Sequence, residues 1–597
     1  MGSCVSFANC MLMNLDSQLK IISLALILLG CAVFAKTQGQ GLYGSEFQDF
    51  GKYGGMVAPL EIPLILAGNF GELRSDHFHT GLDFKTQGRE GFPVIAATDG
   101  VVARVKISPF GYGRALYLSS PDGLTTVYAH LQRFAPVVEQ WALDRQYGRR
   151  TFAIDEAPKR AFAFSQGDTI GWSGNSGGSA GPHLHFEVRE TRTQRPVNPF
   201  FWGFDVPDST PPTIQGLWVL PVNGGAVNGS TLPVRFDAKT KGRIRAVGGV
   251  RFAVEAQDLL DGARNRCGIY RSELWVDETR LFSWQLDTLD FSFSRDMNAH
   301  ALYSAWERTG EQVHRLHRLP GNRLPIYESS SVSEVVIMGD SVPRVVEIKV
   351  WDVHGNVANE RWTLELDASD RGVEIEDATH LFPYDAPLNL EFAGASVSAP
   401  AHAFYEDFDF ELKTAAVANN KDCWVVGSSG LPAVRDVQVR LPMDSALSVQ
   451  GGVVAARFGR DGQIDEVYTG ACNAQRQFEF ETKTLGVYAL LVDSIPPVIR
   501  PHKRHRNGGR GDTLVVSNFH ELRFDLADDL SGIDSWEGTL NDQWILFRWD
   551  PKRERIWYEL SDRRHPSSQT PQRLEIRAND EAGNEARWKG WVVFDPD

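Results

Sequence analysis

The sequence lacks a dense block of lysine and arginine. Its 61 basic residues are outnumbered by 76 acidic ones, which gives a formal net charge of −15. A nucleic-acid partner requires a concentrated basic face, so this absence excludes a nucleic-acid-binding protein. The acidity by itself indicates little beyond solubility.

Long apolar runs are also scarce, and the one that stands out covers residues 21–35. It is typical of the apolar core of a signal peptide and is shorter than the roughly 20 residues of a membrane-spanning helix. Cleavage after Ala35 would release a soluble chain, whereas acylation of Cys31, which lies in a lipobox-like segment, would anchor the chain to lipid. Both alternatives stay open. We interpret residues 1–35 as a signal peptide or lipoprotein leader and predict export to the periplasm, the outer membrane or the extracellular space.

Cysteine is rare, with 6 in 597 residues. Beyond the leader only Cys267, Cys423 and Cys472 are found. In an oxidising compartment, Cys423 and Cys472 are compatible with one disulfide. The alternative is that all three are buried free thiols.

Helical periodicity is weak throughout the chain. Short runs of Val, Ile, Phe and Tyr alternate with turn residues, as at residues 101–105, and this pattern is typical of β-strands. A chain of 597 residues exceeds the size of one hydrophobic core. The sequence therefore predicts a mainly β protein of several domains.

Two internal echoes predict the domain boundaries. The segment that begins at Asp208 (DSTPPTI) is matched by the one that begins at Asp493 (DSIPPVI). Paired prolines cannot continue a β-ladder, so each segment indicates a stiff linker. A strand followed by a D-x-x-G-N turn ends at residues 352–356 and again at 580–584, which is typical of a hairpin. These turns offer too few acidic residues for the six or more oxygen ligands of calcium, and we interpret them as turns only.

The predicted organisation follows from these boundaries. A first domain at residues 36–206 comes after the leader. Three β-rich domains follow at residues 207–368, 369–491 and 492–597. The second and the last of the four folded domains resemble bacterial immunoglobulin-like modules.

The residues with chemical potential all lie in the first domain. On a strand, side chains two apart share a face, so His183 and His185 point to one side while the residues between and after them pack on the other. His79 and Asp83 can also converge on one face of an extended segment. Two imidazoles and one carboxylate (His79, Asp83 and His185) can form a zinc site with one open position, which is the catalytic arrangement.

Bound zinc lowers the pKa of a water molecule and polarises a carbonyl group. Two further imidazoles, His130 and His183, would then be free for proton transfer or for stabilising an oxyanion. The segments concerned are HFHTGLD at 77–83, VYAHL at 127–131, GWSGNSGG at 171–178 and GPHLHFE at 181–187.

These four segments, in this order, resemble those of the lysostaphin/LytM zinc endopeptidases, and the resemblance extends from Phe70 to Pro199. It implies a LytM-type antiparallel β-sheet with an open groove across the zinc. It also implies that His79, Asp83 and His185 bind Zn2+, that His130 and His183 are catalytic, and that the glycine-rich segment shapes a loop beside the groove. The implied substrates are the peptide stems of bacterial peptidoglycan, whose cross-links such an enzyme hydrolyses.

One segment departs from the family pattern. Residues 132–165 form a long insertion before the glycine-rich segment, and we predict a flap over one end of the groove. We interpret His77 as a rim residue, because only His79 has Asp83 at the family spacing. We further expect the three trailing domains to position the enzyme without completing its active site, so that residues 36–205 fold alone.

Two other functions stay open. One is a non-catalytic LytM-type regulator of another cell-wall hydrolase, although such relatives typically lose zinc ligands that this chain retains. The other is a secreted peptidase that acts on proteins.

Overall fold

The computed structural model describes residues 53–328, 333–367, 381–417, 420–444, 447, 452–503, 505–507, 513–517, 521–560 and 570–595. The predicted leader and Cys31 lie outside these residues. Within them, no helix combines the length and the apolar character needed to cross a membrane. All described residues belong to one unit, Phe50–Asp597.

The first domain consists of short strands and one helix. Its main sheet has the order β1-β2-β11-β6-β5-β4-β8, with β12 beside β11 and β9 beside β4, and a second sheet has the order β3-β10-β7. The elements are β1 (Leu66–Gly68), β2 (Leu82–Lys85), β3 (Pro93–Ile95), β4 (Gly100–Ile107), β5 (Arg114–Ser119), β6 (Leu124–Ala129), β7 (Leu131–Phe134), α1 (Pro136–Arg149), β8 (Ile154–Glu156), β9 (Ala163–Phe164), β10 (Thr169–Ser173), β11 (His183–Glu190), β12 (Pro196–Val197) and a 3-10 turn at Pro199–Trp202.

Strand β11 lies at the centre of the main sheet, between β2 and β6. Its apolar side chains pack on one face, where the Phe186 ring contacts the rings of Phe84 and Tyr128 at centroid distances of 6.3 and 5.4 Å. The side chains between them alternate to the opposite face. The strand thus combines core packing on one side with the histidines on the other, as the sequence predicts.

Residues 207–367 form one large sheet with the order β14-β13-β15-β21-β20-β16-β17, in which β18 and β19 also pair with β15. Only the pairing of β21 with β15 is parallel among these described strands. The elements are β13 (Thr213–Val227), β14 (Val234–Asp237), β15 (Ile244–Gln257), β16 (Arg271–Val276), β17 (Thr279–Gln285), a 3-10 turn at Phe291–Asp296, α2 (Met297–His300), α3 (Tyr303–Thr309), β18 (Val313–Arg315), β19 (Val336–Met338), β20 (Arg344–Trp351) and β21 (Val357–Leu366).

The next region is a sandwich of two antiparallel sheets, β22-β23-β26-β30-β29 and β24-β25-β31-β27-β28. A shared apolar core contains side chains from both sheets, such as Val439 and Tyr488. The strands are β22 (Leu388–Phe392), β23 (Ala395–Ala399), β24 (Leu412–Val417), β25 (Asn420–Val426), β26 (Val437–Pro442), β27 (Val453–Phe458), β28 (Ile464–Tyr468), β29 (Ala471–Cys472), β30 (Gln477–Thr482) and β31 (Gly486–Val492).

The last region also has two sheets, β32-β35-β39-β38 and β33-β34-β41-β40-β36-β37, around one core. Its elements are β32 (Val498–Pro501), β33 (Arg506–Asn507), β34 (Thr513–Ser517), β35 (Glu521–Ala527), β36 (Ile533–Leu540), β37 (Gln543–Ile545), β38 (Arg548–Asp550), a 3-10 turn at Pro551–Arg553, β39 (Arg555–Glu559), β40 (Gln572–Asp580) and β41 (Glu585–Asp595). The prediction of a mainly β chain with β-rich regions after the first domain is confirmed. The immunoglobulin-like assignment stays a prediction.

The cysteines do not form the disulfide considered above. Cys423 is buried on β25 of one sheet of the sandwich, whereas Cys472 is exposed on β29 of the other. The two sulfur atoms therefore lie in different environments, and Cys267 is buried as well. The alternative of three buried thiols is also wrong, because Cys472 lies at the surface.

Candidate metal centre and active site

Three side chains converge on the main sheet of the first domain. Asp83 on β2 lies directly opposite His185 on β11, and His79 precedes β2. The Nε2 atom of His79 lies 3.0 Å from Nδ1 of His185, and Oδ1 of Asp83 lies 3.1 and 2.8 Å from these two nitrogens. All three side chains are buried. The structure thus brings together the three residues that the sequence predicts as metal ligands.

Hydrogen bonds fix the orientation of both imidazoles. The Nδ1 atom of His79 lies 2.7 Å from the carbonyl oxygen of Asn69, and Nε2 of His185 lies 2.8 Å from Oε1 of Glu187. A carbonyl oxygen and a carboxylate accept, so each outer nitrogen donates, and in the neutral ring each inner nitrogen has its lone pair. The lone pairs of two ring nitrogens and one carboxylate oxygen then face one another. A cation bound between them would stabilise this arrangement. Outer partners of this kind are typical of metal-binding histidines, and the donor set fits zinc.

The charges around this centre also favour a cation. Burial lowers the pKa of His185, but its hydrogen bonds to Asp83 and Glu187 outweigh burial and raise the pKa to about 9. Burial opposes ionisation of Asp83 as well, yet the neighbouring histidines hold the pKa of this carboxyl well below its usual range. Without a metal, the two carboxylates therefore favour an additional proton on His185, and a cation bound between His185 and Asp83 would replace that proton.

His183 lies on β11 next to this centre. Its Nδ1 atom lies 2.8 Å from the carbonyl oxygen of Gly181, so Nδ1 donates and Nε2 keeps its lone pair. This Nε2 atom lies 3.5 Å from Oδ1 of Asp83. The unprotonated nitrogen thus faces the three converging side chains.

His130 follows β6 and has a φ of +57°, a backbone conformation that is uncommon outside glycine. Its Nδ1 atom lies 2.8 Å from the carbonyl oxygen of Ser176 and so donates, which leaves a lone pair on Nε2. Burial, and then the charges of His183 and His185, lower the pKa of His130 to about 3. The rings of His130 and His183 lie 4.7 Å apart between centroids. Two imidazoles with hydrogen-bond-accepting nitrogens therefore lie side by side, and burial keeps His130 neutral.

The glycine-rich loop holds His130 through the Ser176 carbonyl, and one of its glycines is required. Gly177 has a φ of +73°, and a Cβ atom there would lie 2.3 Å from the backbone nitrogen of Gly113. Gly181, in contrast, has open space around its Cα. The loop-shaping role predicted for the glycine-rich segment is thus supported at Gly177 on steric grounds and has no such basis at Gly181.

The sequence reading missed Glu187, although strand alternation could have indicated it. Glu187 follows His185 by two positions on β11 and so shares its face. Its carboxylate is fully buried and accepts hydrogen bonds from His185, Thr80, Tyr112 and Arg189. The charge of Glu187 is therefore compensated while it holds the outer nitrogen of His185. His77 lies away from this network, half exposed and hydrogen-bonded to Asp76, in agreement with its interpretation as a rim residue.

The insertion at residues 132–165 includes an ordered helix, α1. Tyr147 at the end of α1 packs edge-on against Trp544 of the last region, at a centroid distance of 5.2 Å, and Phe152 contacts Trp536 at 6.1 Å. The insertion thus joins the first domain to the last region. It also lines a cavity of about 570 Å³ between them, whose walls include Gln132, Arg133, Phe152, Asn175, Ser176, Gly177, Arg523, Arg548, Trp549 and Trp557.

The last region also contacts the glycine-rich loop directly. The ammonium group of Lys552 donates to the carbonyl oxygens of Asn175 and Ser179, at 2.6 and 3.0 Å. The hydroxyl of Ser179 lies 3.0 Å from Nδ1 of His183. A residue more than 350 positions away in sequence is therefore hydrogen-bonded to the loop that orients both histidines.

The region at residues 207–367 supports the opposite side of the centre. The side chain of Asn69 donates to the carbonyl oxygen of Gly268 at 2.7 Å and accepts from its amide at 2.8 Å. The carbonyl of the same Asn69 orients His79. Two of the trailing regions therefore hold segments that position the histidines, which the sequence did not indicate. That these regions do not complete the active site stays a prediction.

Replacement of Lys552 with methionine should lower kcat by about 2- to 10-fold, since a hydrogen bond contributes about 0.5–1.5 kcal/mol net. The loop would lose its two bonds to the last region, whereas the metal ligands would be unchanged. Steady-state hydrolysis at equal zinc content measures the effect. The matched control is Lys589→Met on β41, where Lys589 pairs with Glu575. Equal kcat for the two variants would contradict the role of Lys552.

A comparison with known protein families shows which family this part of the chain matches. Residues 77–142 match the family model described as Peptidase family M23. The chain carries an M23 peptidase domain. The match contains His79, Asp83 and His130. It ends before β11, so His183 and His185 lie outside the matched residues.

Several relatives are similar to this M23 domain. The DD-carboxypeptidase/endopeptidase Mpg of Neisseria meningitidis is 33% identical over 138 residues, which cover 23% of this chain and 26% of that protein. The catalytic domain of lysostaphin from Staphylococcus simulans is 24% identical, with 23% of this chain and 89% of that domain covered and a TM-score of 0.18. A zinc-containing peptidase from Vibrio cholerae is 26% identical, with 24% and 39% covered and a TM-score of 0.18. The chain spans about a quarter of the length of the neisserial relative.

Proposed function

We propose that this protein is a zinc-dependent endopeptidase that hydrolyses the peptide cross-links of bacterial peptidoglycan. The observation that carries the proposal is the convergence of His79, Asp83 and His185 beside two further imidazoles with accepting nitrogens. The similarity of the M23 domain to a relative named as a carboxypeptidase and endopeptidase supports the same class of reaction.

Within this proposal, each residue has a distinct task. His79, Asp83 and His185 hold the metal, and Asn69 and Glu187 keep the two imidazoles in the required tautomer. Zinc bound there would polarise the scissile carbonyl and lower the pKa of the attacking water.

The two remaining histidines handle protons. The Nε2 atom of His183 can accept a proton from the attacking water and later donate it to the leaving amine. The nearby Asp83 carboxylate stabilises the imidazolium that forms on His183. His130, held neutral and hydrogen-bonded through Nδ1, can accept a hydrogen bond from the attacking water through Nε2 and so orient it.

We also propose that the chain works outside the cytoplasmic membrane, where peptidoglycan lies. The apolar segment at residues 21–35 supports export, and Cys31 is the candidate for lipid attachment.

Digestion of insoluble peptidoglycan by the zinc-loaded full chain tests the proposal. We expect mass spectrometry of the released fragments to show new amino and carboxyl termini within the peptide cross-links, and casein incubated in parallel to remain intact. His183→Ala is the inactive control. Cleavage of casein with intact peptidoglycan would identify a protein peptidase instead, and inertness of the zinc-loaded chain towards both would identify a regulator.

A further inference from the structure

Aspartate carboxylates converge at two equivalent places outside the M23 domain, and four of the six residues are buried. Each place combines the aspartate that opens a Pro-Pro linker, an aspartate that directly follows a long strand, and the first aspartate of a D-x-x-G-N turn. The first cluster, at the start of residues 207–367, contains Asp208, Asp258 and Asp352. The second cluster, at the start of the last region, contains Asp493, Asp528 and Asp580.

The same hydrogen bonds build both clusters. In the first, the side-chain amide of Asn356 donates to Oδ2 of Asp352 at 2.8 Å and to the carbonyl of Asp208 at 3.4 Å. In the second, the amide of Asn584 donates to Oδ2 of Asp580 at 2.9 Å and to the carbonyl of Asp493 at 3.1 Å. The turn asparagine thus connects each linker to its turn through hydrogen bonds, which brings the linker aspartate and the turn aspartate together.

The third aspartate of each cluster brings a further carboxyl group to this place, where ionisation is unfavourable without a cation. Burial, and then the charges of Asp208 and Asp352, raise the pKa of Asp258 to about 8. Burial also raises the pKa of Asp528. Backbone hydrogen bonds oppose this rise, and the charges of Asp493 and Asp580 add to it. Among the described residues, no lysine or arginine forms an ion pair with any of the six carboxylates.

Hydrogen bonding within the protein leaves some of these oxygens without a donor. Asp258 is 2% exposed, and its Oδ1 atom accepts no hydrogen bond from any described residue. The Oδ1 atom of Asp528 in the second cluster is buried and equally lacks a donor among the described residues. A purely structural turn would be expected to satisfy such oxygens, because a buried carboxylate oxygen without a partner is costly.

We propose that each cluster binds a divalent cation of the calcium class. In the second cluster, oxygens of Asp493, Asp528 and Asp580 lie within 4.8 Å of one another, which is an oxygen-only donor set. Hard cations such as Ca2+ prefer carboxylate oxygens and complete their shell with water and backbone carbonyls.

The first cluster differs in its donors: those that lie within 4.8 Å of one another belong to Asp208, Asp352 and His354, while Asp258 is near enough for the charges of both aspartates to raise its pKa. His354 lies within the same 4.8 Å group as Asp208 and Asp352, whereas the corresponding position of the second turn is Ala582. The shared carboxylates are therefore the feature that defines both sites, and the imidazole is particular to the first.

This proposal reverses the interpretation of the turns reached from the sequence. The turn alone supplies one carboxylate, which is too few for calcium. Folding adds the linker aspartate and the aspartate that follows β15 or β35, which lie 52 to 144 residues before the turn in sequence. A bound cation would stiffen the linkers at which the two regions begin.

Equilibrium dialysis with radioactive calcium, using the full chain already loaded with zinc, tests the proposal. We expect two calcium ions per wild-type chain, one in Asp528→Asn, and none in the Asp258→Asn/Asp528→Asn double variant. The amide oxygen of an asparagine at position 528 can still accept the backbone hydrogen bonds of Leu530 and Gly532, so the fold should be retained. Asp529→Asn, at an exposed neighbouring position, should still bind two.

Thermal unfolding separates a cation site from a structural carboxylate. Saturating calcium should raise the melting temperature of the wild-type chain by about 5 °C and that of the double variant much less. Without calcium, the double variant should be at least as stable as the wild type, because the substitutions remove charge repulsion. Absence of calcium binding to the wild type, or two ions bound to the double variant, would overturn the proposal.

Discussion

Replacement of His185 with alanine is expected to remove the bound zinc and peptide hydrolysis together. His185 lies between Asp83 and Glu187, at 2.8 Å from an oxygen of each, so its loss removes one of three metal donors and the link to the buried Glu187. Catalytic zinc sites typically have three protein ligands, so the two that remain are too few to hold the metal. Elemental analysis and the rate of cross-link hydrolysis, measured on the same preparation, check the result.

His183→Ala and His130→Ala are the matched controls, because they remove imidazoles from the same pocket without removing a proposed ligand. Both should retain about one zinc per chain while turnover falls by roughly 10²- to 10⁴-fold, the range for loss of a general acid-base group. Full zinc occupancy in His185→Ala would refute the ligand assignment. Loss of zinc in either control would show that the histidine concerned has been given the wrong role.

The second large effect concerns the boundary of the first domain. A fragment of residues 36–206 is expected to be strongly destabilised and to bind zinc weakly. Its last strand, β12, continues into contacts with the following region: Asn198 donates from its backbone to Asp287 at 2.8 Å, and Val197 forms a β-bridge with Thr288. Removal of that region would also leave the Asn69 side chain without Gly268. Each buried polar group that loses its partner costs about 1–3 kcal/mol.

The fragment of residues 36–368 is the control, since it keeps these contacts and lacks the last two regions. We expect it to retain most of the stability and zinc affinity of the full chain, as measured by denaturant unfolding and by competition with a chelator. Equal stability and equal zinc affinity of the 36–206 fragment and the full chain would show that the interface contributes little, and that the first domain is independent as the sequence suggests.

The sequence alone supports most of the inferred centre, for local reasons. Alternation along a strand places His183 and His185 on one face, and the same rule, applied two positions further, would have found Glu187. The order of the histidine segments was sufficient for the resemblance to the lysostaphin/LytM enzymes, which agrees with the match to Peptidase family M23. Weak helical periodicity and frequent turn residues likewise predicted the mainly β architecture.

Other features depend on contacts between segments that are distant in sequence. Nothing near Asn69 indicates that Gly268 holds it, or that Lys552 reaches the loop beside His183, since the contacting residues follow no local period. The sequence therefore suggested independent trailing modules, and the structure shows that they support the site.

Periodicity and motif order are properties of neighbouring residues, and they were enough to determine the strand class and the identity of the converging histidines. Interfaces and charge clusters arise when separate segments meet in three dimensions. Only the tertiary structure decided that the Asn69 carbonyl is fixed by another region, and that the isolated aspartates of two linkers, two strand ends and two turns become two buried carboxylate clusters. The physical reason is that burial and electrostatic repulsion depend on distance in space, which the spacing along the chain does not reveal.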